Sequence, residues 1–119
     1  MSDIRTRPAQ VGVTVELADL GDWGASTLVS EYDPLGPVIR INQRAIERYR
    51  AACGELSSCD VRGFIDLAIA HELYHHAEAT GEIARIPDRA ERERAADAYA
   101  RERVVVDTHL AAFTGGVRA

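Results

Sequence analysis

The sequence predicts an α+β domain, with about three N-terminal strands forming a sheet and about three helices packed on one face. Three observations lead there. The first third is rich in β-branched residues and alternates apolar with polar side chains. At Asn42 the apolar spacing lengthens from that of a strand to that of a helix. Helical segments then follow one another, which is the segregated order of an α+β chain. At 119 residues the chain is expected to be one domain, 1–119.

The first strand is read over Val11–Leu17, and Gly21 to Gly24 breaks it. Ser26–Tyr32 is the second. Asp33-Pro34-Leu35-Gly36-Pro37 is a strong turn signal, and Val38–Ile41 is the third strand. The two breaks suggest antiparallel neighbours, at least for the second and third strands. Asn42 can cap a helix running to about Ala52, with Ile46 and Tyr49 on one side. A second helix spans 60–80, with Val61, Phe64, Ile65 and Ala68 as its buried stripe and Gly81 as its stop. Pro87 stands where a further helix begins. Asp88 with Glu91 three residues later forms a cap pair, so the third helix is expected over 88–112.

Composition removes several functions. All fourteen basic residues are Arg, so there is no lysine for a Schiff base or a phosphate loop. A net charge of -5 argues against nucleic-acid binding, whose footprint is usually basic. No apolar stretch approaches the roughly 18 residues of a membrane span, and the first ten residues lack the apolar core of a secretory signal. A cytoplasmic location is expected. Cys53 and Cys59 do not have the spacing of a redox pair and read as ordinary thiols near a turn.

The chemistry is concentrated in His71-Glu72-Leu73-Tyr74-His75 on the second helix. Two His at i and i+4 stand one turn apart and about 40° round the helix, so both imidazoles can grip one ion. Neutral imidazole suits Zn²⁺, which takes further ligands and leaves one position open for water. Glu72 can reach that water without binding the metal. A metzincin pattern would need Gly at position 78 and His at position 81, where this chain has Glu78 and Gly81. The third ligand is therefore sought among Glu91, Glu93 and Asp97. Glu93 is chosen because Asp97 follows it at i+4: Glu93 can bind metal while Asp97 accepts a hydrogen bond from a ligand imidazole. Ala96, Ala100 and Val104 lie near the same direction, so this face looks inward. Tyr32, Tyr49, Tyr74 and Tyr99 read as packing or surface, His76 as an exposed neighbour, and His109 points away if the helix is continuous.

His71-Glu72-x-x-His75 followed by Glu93-Arg94-Ala95-Ala96-Asp97-Ala98-Tyr99-Ala100 resembles the gluzincin metallopeptidases. The short chain is most similar to the minigluzincins or the ImmA/IrrE-type metallopeptidase domain. The resemblance covers about thirty residues, from His71 to Ala100. It implies His71, His75 and Glu93 as zinc ligands, Glu72 as general base and acid, and Asp97 as the partner of a ligand His. It further implies hydrolysis of a peptide or protein substrate lying along an edge strand. The expected reaction uses a zinc-bound water activated by Glu72. The rival is a latent or non-catalytic zinc-binding regulatory or interaction domain. Self-association, or the tail Thr114–Ala119, would then cover the cleft.

Overall fold

The computed structural model describes residues 4–21, 29–53 and 60–104. The element order is α1 (Arg7–Gln10), β1 (Thr14–Ala18), β2 (Ser30–Asp33), β3 (Val38–Asn42), α2 (Gln43–Cys53), α3 (Val61–Ala79) and α4 (Arg89–Arg103). The architecture is α+β, as expected: a three-stranded mixed sheet with helices packed against it.

The sheet order is β1-β3-β2. β2 and β3 are antiparallel across the turn at Pro34-Leu35-Gly36-Pro37, with Tyr32 opposite Ile39 and Ser30 opposite Ile41. β1 departs from the antiparallel expectation. It runs parallel to β3, Thr14 opposite Val38 and Ala18 opposite Asn42, and does not pair with β2. Parallel neighbours need a long crossover connection, and the segment containing β2 supplies it. The first strand also begins later than its sequence signal. Residues 11–13 follow α1, a short helix unforeseen in the sequence, and most of the expected start of the second strand lies outside the described residues.

Side chains alternate across β3. Ile39 and Ile41 are buried on the helical side. Arg40 points the other way, where its guanidinium meets Glu16 across the parallel pair (3.0 Å) and Glu31 across the antiparallel pair (2.9 Å). Opposite charges at facing positions support the register. α3 lies against β2 and β3, and α2 and α4 pack on α3. Among the described residues, β1 meets the short α1, and Leu17, which shares a face with Ile41, remains half exposed at 53%.

Asn42 joins sheet to helix. It is fully buried. Its side-chain oxygen accepts from Arg44 N–H at 3.1 Å, the expected cap on α2, and from Leu20 N–H at 3.0 Å. Its amide donates to the Gly21 carbonyl at 3.1 Å. One side chain thus starts α2 and ties down the chain leaving β1. The core beneath is formed by Val13, Ile39, Ile46 and Leu73, with Tyr49 stacked on Phe64 at a ring separation of 5.1 Å. Cys53, a free buried thiol, closes α2; Cys59 lies outside the described residues.

α3 is capped by Asp60, whose side chain accepts from Gly63 N–H at 2.8 Å. It ends in a Schellman turn. Gly81 adopts φ 78°, and the N–H groups of Gly81 and Glu82 return to the carbonyls of Glu78 and Ala77. α4 begins at the expected cap, Asp88 accepting from Glu91 N–H at 2.9 Å. It stops at Arg103, short of the expected 112, because Val104 turns extended. His109 and the tail Thr114–Ala119 lie outside the described residues. Among the described residues, no helix is long and apolar enough to cross a membrane.

Candidate metal centre

α3 carries His71, Glu72 and His75 on adjoining faces. Their ligand atoms all lie within 4.8 Å of one another, a group that could hold a metal ion. Burial differs across the motif. Glu72 is buried, while both imidazoles are half-buried and open toward α4.

The opposite wall comes from α4, whose Ala96 and Ala100 are buried against α3, in keeping with an inward face. This seats Glu93 over the two imidazoles. Its Oε2 lies 3.1 Å from His71 Nε2 and 2.9 Å from His75 Nε2, and the two Nε2 atoms are 3.3 Å apart. Glu91, the competing carboxylate, is exposed on the far side. Asp97 Oδ1 lies 2.8 Å from His71 Nδ1. Each sequence-predicted residue is therefore at this one place: His71, Glu72, His75, Glu93 and Asp97.

The dimensions suit a small tetrahedral ion. Ligand bonds of 2.0–2.1 Å at tetrahedral angles put donor atoms about 3.3 Å apart. The triangle of Nε2, Nε2 and Oε2 comes close to that, and its N₂O donor set is one zinc accepts. The outer nitrogens are also accounted for. Asp97 takes His71 Nδ1–H, and Glu78 Oε1 lies 3.0 Å from His75 Nδ1. A carboxylate at each Nδ1 fixes the tautomer that leaves Nε2 free to coordinate.

Sequence reasoning passed over Glu78, weighing position 78 only as a failed metzincin glycine. The signal was its i+3 spacing from His75, which puts both on one helix face. His76 also differs from expectation. It is half-buried, and its Nδ1 lies 2.6 Å from the Tyr32 hydroxyl on β2. The i+1 position after His75 turns it toward the sheet edge. Tyr74 packs against His75 and Tyr99, as a packing residue should.

The electrostatics follow from this crowding. Burial disfavours charge on His71. Hydrogen bonds to Asp97 and Glu93 and the nearby Glu72 charge outweigh it and push the imidazole up to about 10. His75 is also raised: burial again opposes, while Glu93, Glu72 and Glu78 favour the charged ring. Burial resists ionisation of Glu93, but hydrogen bonds from both imidazoles hold it far below the usual carboxylate range. Glu72 moves the other way. Its desolvation outweighs the neighbouring imidazoles and the Ser30 hydrogen bond, raising its pKa. That bond is short, Ser30 Oγ–H donating to Glu72 Oε2 at 2.7 Å, and Ser30 is itself buried.

No family model, curated protein or solved structure matches this chain. The site therefore rests on its own residues and geometry.

Proposed function

We propose that the protein is a zinc-dependent metallopeptidase. The observation that carries this reading is the convergence of His71 Nε2, His75 Nε2 and Glu93 Oε2 within 2.9–3.3 Å, beside the buried Glu72 carboxylate. His71, His75 and Glu93 would hold the ion. Asp97 and Glu78 orient the two imidazoles. The resemblance of the two helical stretches to the gluzincins supports the same assignment.

A zinc ion held there would supply Lewis acidity at a substrate carbonyl and make a neighbouring water more acidic. Glu72 takes the proton from the attacking water and passes it to the departing amine. Its raised pKa suits both tasks, because a base nearer neutrality is also a competent acid. Ser30 keeps one carboxylate oxygen occupied, leaving the other for the proton. β2, beside α3, is the edge strand among the described residues, and an extended peptide can pair on its outer main-chain side.

A second reading has one observation in its favour. Glu72 itself belongs to the group able to hold an ion. As a fourth ligand it would close the coordination sphere and make the domain a non-catalytic zinc module.

Glu72→Gln separates the two. The metallopeptidase reading expects undiminished zinc stoichiometry and affinity with loss of peptide cleavage by about 10²-fold or more. A large fall in zinc affinity would favour the closed site. Unchanged cleavage would remove Glu72 from the chemistry altogether.

A further inference from the structure

A cleft of about 390 Å³ opens directly beside His75 and Glu93. Three arginines line it: Arg85 from the α3–α4 connection, Arg89 at the start of α4, and Arg92 one turn later. This is unusual in a chain with 19 acidic and 14 basic residues. Some arginines elsewhere are paired, Arg5 with Asp66, Arg40 with Glu31 and Arg44 with Asp19. Among the described residues, none of the three cleft arginines has a carboxylate partner. Arg92 is half-buried and held by the Ile86 carbonyl at 3.4 Å, which fixes its head rather than leaving it in solvent.

The cleft's own acids are committed elsewhere. Glu93 faces both imidazole Nε2 atoms, and Glu78 Oε1 faces His75 Nδ1. Glu78 Oε2 is buried without a hydrogen-bond partner among the described residues. It is an acceptor in want of an N–H. Tyr32, Pro34 and Ala79 complete the walls with ring and aliphatic surface. The lining thus offers one acceptor, an apolar wall and three cationic forks, in a volume within the range of small-ligand pockets.

We propose that this cleft is a subsite for a carboxylate of the bound peptide, gripped by Arg85, Arg89 and Arg92. The proposal rests on the metallopeptidase reading for calling that peptide a substrate. Guanidinium matches carboxylate geometry through paired, charge-assisted hydrogen bonds. A neutral or basic side chain would leave the three cationic side chains of the lining without an anionic partner. The carboxylate can belong to an Asp or Glu side chain or to a free C-terminus.

The test uses the full chain loaded with zinc and carrying Glu72→Gln, so that bound peptide is not consumed. Short peptides differing only by Glu against Gln, and by a free against an amidated C-terminus, are titrated by calorimetry. The carboxylate form is expected to bind at least about tenfold more tightly, as losing a charge-assisted pair implies. Preference for internal Glu assigns a side-chain subsite, and preference for the free terminus assigns a terminal-carboxylate subsite; either supports the proposal. Adding Arg85→Gln and Arg89→Gln, both exposed positions, should erase most of the preference with zinc stoichiometry unchanged, and adding Arg92→Gln should erase the rest. Equal binding of acidic and neutral peptides, or a preference that survives the triple substitution, overturns it. Cleavage by the Glu72 protein is read separately. Cleavage without acid preference sinks this subsite and spares the peptidase, whereas acid-selective binding without any cleavage does the reverse.

Discussion

Asp97 Oδ1 lies 2.8 Å from His71 Nδ1, across the interface of two helices and 26 positions along the chain. Contacts run in opposite directions, His71 reaching Asp97 and Glu93 while His75 reaches Glu93. One carboxylate thus sets the direction in which an imidazole on the neighbouring helix presents its other nitrogen.

Asp97→Asn should keep the fold and weaken zinc binding by about 10–100-fold, since an amide neither fixes the tautomer nor supports ring basicity as well. Glu78→Gln should do the same through His75. Competition against a chelator of known affinity measures both. Wild-type affinity in the two variants would show that the outer carboxylates do not orient the ligands.

On the proposed assignment, zinc and protons would compete for the same nitrogens. His71 without metal is raised from 6.5 to about 10. Its pairing with Asp97 and Glu93 therefore stabilises the metal-free fold fully below about pH 6.5. That contribution fades as pH climbs through about 10. Zinc must displace the His71 proton, so affinity should rise with pH across this window, with measurable proton release on binding. Calorimetry in buffers of different ionisation enthalpy counts the protons. A zinc affinity that is flat from pH 6.5 to 9 would contradict the coupling.

Ser30→Ala removes the hydroxyl that donates to Glu72 at 2.7 Å. The buried carboxylate then lacks that donor, at an expected cost of about 1–3 kcal/mol in stability. Loss of the donor should also raise the Glu72 pKa further, moving the acid limb of any pH–rate profile upward. Ser30→Thr, which restores a hydroxyl, should recover part of both effects. A profile unmoved by Ser30→Ala would make the contact structural only.

Asn42→Ala abolishes a helix cap and two bonds to the chain after β1 at once. A loss of about 2–4 kcal/mol is expected, larger than an ordinary cap. Denaturant unfolding would register it. A loss under about 1 kcal/mol would mean that water replaces all three bonds.

Much of this architecture can be read from local pattern. The strand candidates, the Asn42 and Asp88 caps, the Gly81 stop and the metal motif all depend on residues a few positions apart, where spacing dictates geometry. Glu93 and Asp97 were also within reach of sequence, because a shared helix face with Ala96 and Ala100 orients them. The parallel pairing of β1 with β3 was not. Partner choice among strands depends on crossover connections and on what covers each face, and neither leaves a short-range signature. The end of α4 was equally hidden, since Val104 continues the apolar spacing while its backbone turns extended. Tyr32 meeting His76 likewise requires knowing which strand lies over α3.

The Ser30 bond has a final consequence. His71, His75, Glu78, Glu93 and Asp97 all belong to one pair of helices joined at the Gly81 turn. From the sheet, Ser30 reaches in to the Glu72 carboxylate. On the proposed assignment, gripping an ion and aligning the base would therefore be separable tasks, set by different parts of the molecule. Loosening the sheet edge would misalign Glu72 while the helical pair keeps its grip. Disturbing the turn would slacken that grip and leave Ser30 where it was. The helical motif is thus tied to the sheet through a serine forty-two residues upstream.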